Sequence, residues 1–169
     1  MKCGIVIYPA KVLQDEVNNL RKRYDPEYAL IKPHITLKTK FDADKNLLSK
    51  LTDELNEITK NIQPFDINIK KVSSFQPVSN KIYFKIEPND NLEKLHDSLY
   101  NGVLPKEKFI TFVPHITIAH DLNTDEFSDI YTTLSMKDYN YTDTLDSLEI
   151  GYESDDGSWK TYKSFNFGG

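Results

Sequence analysis

The tetrapeptide Pro-His-Ile-Thr occurs twice in this chain, at residues 33–36 and again at 114–117. With 8 prolines among 169 residues, two matches over four positions are a poor product of chance, and the repeat points to a fold made of two similar halves. The elements around the motifs repeat too. Cys3, Ile5 and Ile7 alternate with Val6 and Tyr8 in a strand predicted over 2–8, apolar on both faces as in a strand covered on two sides. Leu13, Val17, Leu20 and Tyr24 recur at helical spacing after Pro9, and Asp25-Pro26 ends that helix. The first motif strand follows at 34–41, then a long helix with the stripe Leu47, Leu51, Leu55, Ile58 and Ile62, capped by Asp42 or Asp44, then a strand over 65–72.

The second half runs in the same order. Ile82, Phe84 and Ile86 mark a strand; Leu92, Leu95 and Leu99 mark a helix capped near Asn89 or Asp90. The second motif strand spans 115–120, Phe127, Ile130, Tyr131 and Leu134 give a helix, and Leu148, Ile150 and Tyr152 give a strand. A last hairpin turns at Asp155-Asp156-Gly157 and returns through Trp159 to Phe167. The expectation is a single α+β domain over 1–169, with two pseudo-symmetric halves at about 1–73 and 80–152 and a closing hairpin over 145–167. A pseudo-twofold relation between the halves would bring the motif strands to one cleft.

On a strand, alternate side chains share a face, so His34, Thr36 and Lys38 point one way and Ile35 and Leu37 the other. His115 and Thr117 stand likewise against Ile116 and Ile118. Each proline lacks a backbone donor and suits the first residue of a strand. Imidazole exchanges protons near neutrality. Two of them on opposite sides of a phosphate allow one to deprotonate water while the other protonates the departing oxygen. The threonine hydroxyls can bond the non-bridging oxygens, where charge develops. That chemistry needs no metal, and no acidic cluster adjoins either motif in sequence to serve as a ligand set for a divalent ion.

The net charge of -5 and pI near 5.4 leave no general basic surface for a long polyanion, so a nucleotide or short RNA is the expected substrate and long nucleic acid is not. Cys3 is the only cysteine, which suits a reducing cytoplasm. No segment has the roughly 20 apolar residues of a membrane span. A cytoplasmic protein without a membrane partner is expected; oligomeric state is not legible. No Gly-rich phosphate loop followed by Lys-Ser or Lys-Thr exists, and 6 glycines supply no dinucleotide fingerprint.

The two Pro-His-Ile-Thr elements resemble the signature of the two-histidine (2H) phosphoesterases, the superfamily of 2'-5' RNA ligase-like proteins and cyclic phosphodiesterases, and within it the small bacterial YjcG-like branch. The element order and the closing hairpin from Leu148 to Trp159 extend the resemblance over nearly the whole chain. It implies a bilobal α+β fold, antiparallel sheets lining a central cleft with helices outside. It also implies metal-independent hydrolysis or transfer at a 2',3'-cyclic phosphate or a 2'-5' linkage; no cofactor is expected. His34 and His115 carry over as catalytic residues, with Thr36 and Thr117 on the substrate.

Lys38 shares the reactive face and either pairs with phosphate or is a solvated edge residue. Lys106 and Lys108 precede the second motif and could steer an anion. Phe75, Tyr83 and Phe112 are candidate base platforms, though core packing is the commoner role for such aromatics. His120 falls on the face opposite His115 by alternation, and His96 lies in a helix; both read as structural. His120-Asp121 invites comparison with metal-dependent His-Asp phosphohydrolases, but those are helical and need further ligands. Two other functions remain open: a module that binds a nucleotide or RNA end without turning it over, and a 2'-5' RNA ligase running the same chemistry in reverse.

Overall fold

Ile35 and Leu37 of the first motif strand and Ile116 and Ile118 of the second are buried, and these apolar sides anchor the motifs in the sheet. The computed structural model describes residues 1–105 and 111–168. Its elements are β1 (Lys2–Ile7), α1 (Lys11–Tyr24), β2 (Ile35–Asp42), α2 (Lys45–Lys60), β3 (Phe65–Ser74), β4 (Ile82–Ile86), α3 (Asp90–Ser98), β5 (His115–Ala119), α4 (Thr124–Ser135), β6 (Tyr141–Leu145), β7 (Ser147–Glu153) and β8 (Trp159–Asn166). The strands run antiparallel to their neighbours in the order β6-β3-β4-β5-β2-β1-β7-β8.

The antiparallel sheets that the resemblance implies are two four-stranded lobes of this one sheet. They join where the motif strands β2 and β5 touch, and there the ladder narrows to the partners Ile35 and Ile116. The lobes also interleave. β3, from the first half of the chain, lies between β4 and β6, while β7, from the second half, lies between β1 and β8. Each lobe is thus built from both halves. No helix among the described residues is long and apolar enough to cross a membrane.

Helix starts follow capping chemistry. Asp44, Asn89 and Asn123 accept the backbone N–H of Leu47, Leu92 and Glu126, and Glu126 completes a capping box by accepting the Asn123 N–H in return. α1 has no such side chain, because its N-cap is Ala10. The Ala10 N–H is instead taken at 3.0 Å by Asp143 of β6, distant in sequence. β6 escaped the pattern reading for the same reason: its inward positions are Tyr141, Asp143 and Leu145, and the carboxylate breaks the apolar alternation.

Two helix stripes differ from expectation. In α2 the buried row is Leu48, Leu51, Leu55 and Thr59, with Leu47, Ile58 and Ile62 only flanking it. Thr59 fits in the core because its hydroxyl donates to the Leu55 carbonyl at 2.8 Å. In α1 the buried row is Leu13, Val17 and Arg21, while Leu20 and Tyr24 lie at its margin. A guanidinium therefore stands where the period alone predicts a hydrophobe.

Candidate active site

The register at the junction of the lobes determines how the motifs meet. With Ile35 opposite Ile116 in an antiparallel pair, His34 falls across from Thr117 and His115 across from Thr36, all four on the face away from the buried isoleucines. Across such a pair the two histidines are diagonal neighbours, near enough for long or ring side chains to reach one another. All four side chains line a single pocket of about 190 Å³.

Both imidazoles are held by the same local bond. Nδ1 of His34 lies 2.7 Å from the Lys32 carbonyl, and Nδ1 of His115 lies 2.6 Å from that of Val113. A carbonyl can only accept, so Nδ1 carries the proton and donates it, leaving Nε2 as the nitrogen free to act as a base. Burial pushes both rings below the ordinary histidine range, that of His115 to about 4, and the nearby Lys81 ammonium pushes the same way. The unliganded site therefore holds two neutral imidazoles near pH 7.

Aromatic rings brace them. Phe75 and Tyr83 stand 5.1 Å and 5.0 Å from the His115 ring, and 4.4 Å from each other; Tyr8 stands 6.4 Å from His34. Two of the three candidate base platforms are thus supports for a histidine. The third, Phe112, is stacked on His96 at 3.9 Å, and neither lines the pocket. Lys38 is displaced as well: it lines an adjoining hollow that shares His34 and Thr36, and not the pocket that holds both histidines. Lys106 and Lys108 lie outside the described residues.

Several pocket residues were not singled out by their place in the sequence. Lys81, from the turn before β4, lines the pocket. Arg21 and Asp25 form a buried ion pair at 2.9 Å, and Arg21 also donates to Asn18 at 2.9 Å and to the Ile31 carbonyl at 2.7 Å. His120 is a correction. β5 ends at Ala119 and Asp121 adopts φ 59°, so strand alternation no longer governs His120, which turns into the pocket. There its Nε2 lies 3.0 Å from Asp25 and its Nδ1 3.0 Å from Asp121. Asp25 and Glu27 bring carboxylates to the site that lie apart from the motifs in sequence. Among the described residues no three His, Cys, Asp or Glu groups are placed to hold a metal ion.

The chain is 50% identical over 168 residues, 99% of each chain, to a protein of Oceanobacillus iheyensis named as a phosphoesterase. It is 47% identical over 169 residues to one so named in Geobacillus kaustophilus, covering 100% of this chain and 98% of that one. Among solved structures, Escherichia coli LigT complexed with 3'-AMP superposes with a TM-score of 0.76 at 13% identity, covering 98% of this chain and 97% of LigT. A Thermus thermophilus protein superposes at 0.74 and 13% identity, covering 100% and 99%. At that identity the likeness establishes the fold. The profile of the 2'-5' RNA ligase superfamily matches residues 9–157. With the paired motifs converging on one pocket in a LigT-like fold, and end-to-end relatives at close to half identity, the chain belongs to the 2'-5' RNA ligase superfamily, the group of the two-histidine phosphoesterases.

Proposed function

We propose that this phosphoesterase hydrolyses the 2',3'-cyclic phosphate or 2'-5' phosphodiester of a nucleotide or short RNA, with His34 and His115 as the acid–base pair. The observation that carries the reading is the matched pair of Nδ1 bonds, which leaves Nε2 as the basic nitrogen of each ring in a pocket that both histidines line. In the reaction, water attacks phosphorus while one Nε2 removes its proton. The bond to the sugar oxygen breaks in line, and the other imidazole, protonated, delivers a proton to that oxygen. Thr36 and Thr117 donate to the non-bridging oxygens, and Lys81 offsets their charge. LigT, which shares the fold, has been crystallised with 3'-AMP, ATP, NADP+ and phosphate, in keeping with a small nucleotide in such a cleft.

The test is hydrolysis of adenosine 2',3'-cyclic phosphate and of a 2'-5'-linked dinucleotide in the presence of chelator. Turnover is expected, and His34→Ala or His115→Ala should each lower kcat by roughly 10²–10⁴. Undiminished activity in either variant, or an absolute need for added metal, overturns the assignment. The superfamily to which the chain belongs also favours a second reading, ligation, in which a 5'-hydroxyl replaces water as the nucleophile on the cyclic phosphate and the 3' oxygen leaves. RNA ends bearing a cyclic phosphate and a 5'-hydroxyl would yield a 2'-5' product if ligation is carried out.

A further inference from the structure

The pseudo-twofold relation of the motifs does not extend to what flanks them. Against His115, among the described residues, pack the rings of Phe75 and Tyr83. Beside His34 a second pocket of about 250 Å³ opens, sharing His34, Thr36, Glu27 and Ile31 with the first. Trp159 also lines it, as do Lys40 and Glu153, which are paired at 3.1 Å. The two volumes together reach the scale of a small-molecule site, about 300–1,000 Å³.

The indole is seated on a bare strip of sheet. Trp159 opens β8 and its side chain reaches across β7 to β1, where Gly151 and Gly4 are register partners. A Cβ on Gly4 would stand 3.5 Å from the six-membered ring of the indole, and one on Gly151 also 3.5 Å from it. A methyl is the most either position could hold without lifting the ring. The backbone N–H of Trp159 donates to the Leu30 carbonyl at 2.8 Å, which ties the tryptophan to the loop whose Glu27 and Ile31 line both pockets.

We propose that this second pocket receives the nucleoside of the substrate, its base stacked on Trp159, while the phosphate lies between the histidines. The inference rests on the nucleotide reading above. It makes recognition one-sided, because among the described residues the open pocket adjoins His34, whereas Phe75 and Tyr83 pack on His115. It also makes recognition tolerant of base identity, since every base presents a π-face to an indole.

Trp159 is the only tryptophan in the chain, so its emission reports on the pocket directly. Titration with adenosine 3'-monophosphate should quench it, and inorganic phosphate should leave it unchanged. Trp159→Ala should raise KM for adenosine 2',3'-cyclic phosphate about tenfold with a smaller effect on kcat, and Trp159→Phe should restore most of the loss. Turnover without quenching, together with an unchanged KM in Trp159→Ala, overturns the subsite and leaves the phosphoesterase reading intact. Quenching by the nucleotide without turnover supports the subsite and overturns the hydrolytic reading. Neither quenching nor turnover overturns both.

Discussion

At the scale of the residue, the two histidines share a difficulty that only a ligand can resolve. Burial pushes both rings down, His115 to about 4, so near pH 7 each can serve as base and neither is ready as acid. A phosphate between them supplies the missing bias, since its negative charge favours the imidazolium. NMR titration of His115 should therefore give a midpoint near 4 without ligand and a higher one with inorganic phosphate, and phosphate affinity should rise as the solution is acidified from neutrality. A midpoint at the ordinary histidine value, indifferent to phosphate, would refute this. The same depression has a consequence for folding. The unfolded chain binds the proton first, so stability is full above about pH 6.5 and declines as pH drops toward about 4, by about 3 kcal/mol for His115. The meeting of the paired motifs in one pocket was legible because each is compact, with its own alternation. Lys81 and His120 were not, since their places depend on a turn and on a strand ending at Ala119.

At the scale of the element, α1 does more than cover the sheet. Its last turn delivers Arg21 to Asp25, and both side chains are 3% exposed. Asp25 also accepts the Glu27 N–H at 2.8 Å and faces His120. Removing one partner of a buried pair strands the other, which costs about 3–5 kcal/mol, whereas losing an exposed helix cap costs about 1 kcal/mol. Asp25→Ala should therefore lower stability in urea far more than Asp44→Ala; equal losses would show that solvent reaches Arg21. The sequence hinted at the pair, because Arg21 continues the row of Leu13 and Val17 and Asp25 follows one turn later. An apolar reading of the row discards that hint. β6 was lost in a similar way, its Asp143 being placed inward to serve the start of α1. Polar residues with a distant structural task are what period counting misses.

At the scale of the whole molecule, the duplicated order of elements was readable, but the exchange of strands between lobes was not. Local pattern identifies β3 and β7 as strands and says nothing of which neighbours they choose. Because β3 pairs with β4 and β7 with β1, neither half of the sequence contains a complete lobe. A fragment of residues 1–79 should remain unfolded by circular dichroism and recover structure only when mixed with 80–169. A cooperatively folded fragment would contradict the interleaved architecture. Ile35 and Ile116 are wholly shielded from water, yet each stands one residue from a histidine and one from a threonine. The contact that joins the lobes thus also backs the pocket, and a void opened there by a smaller side chain would lie directly behind both motifs.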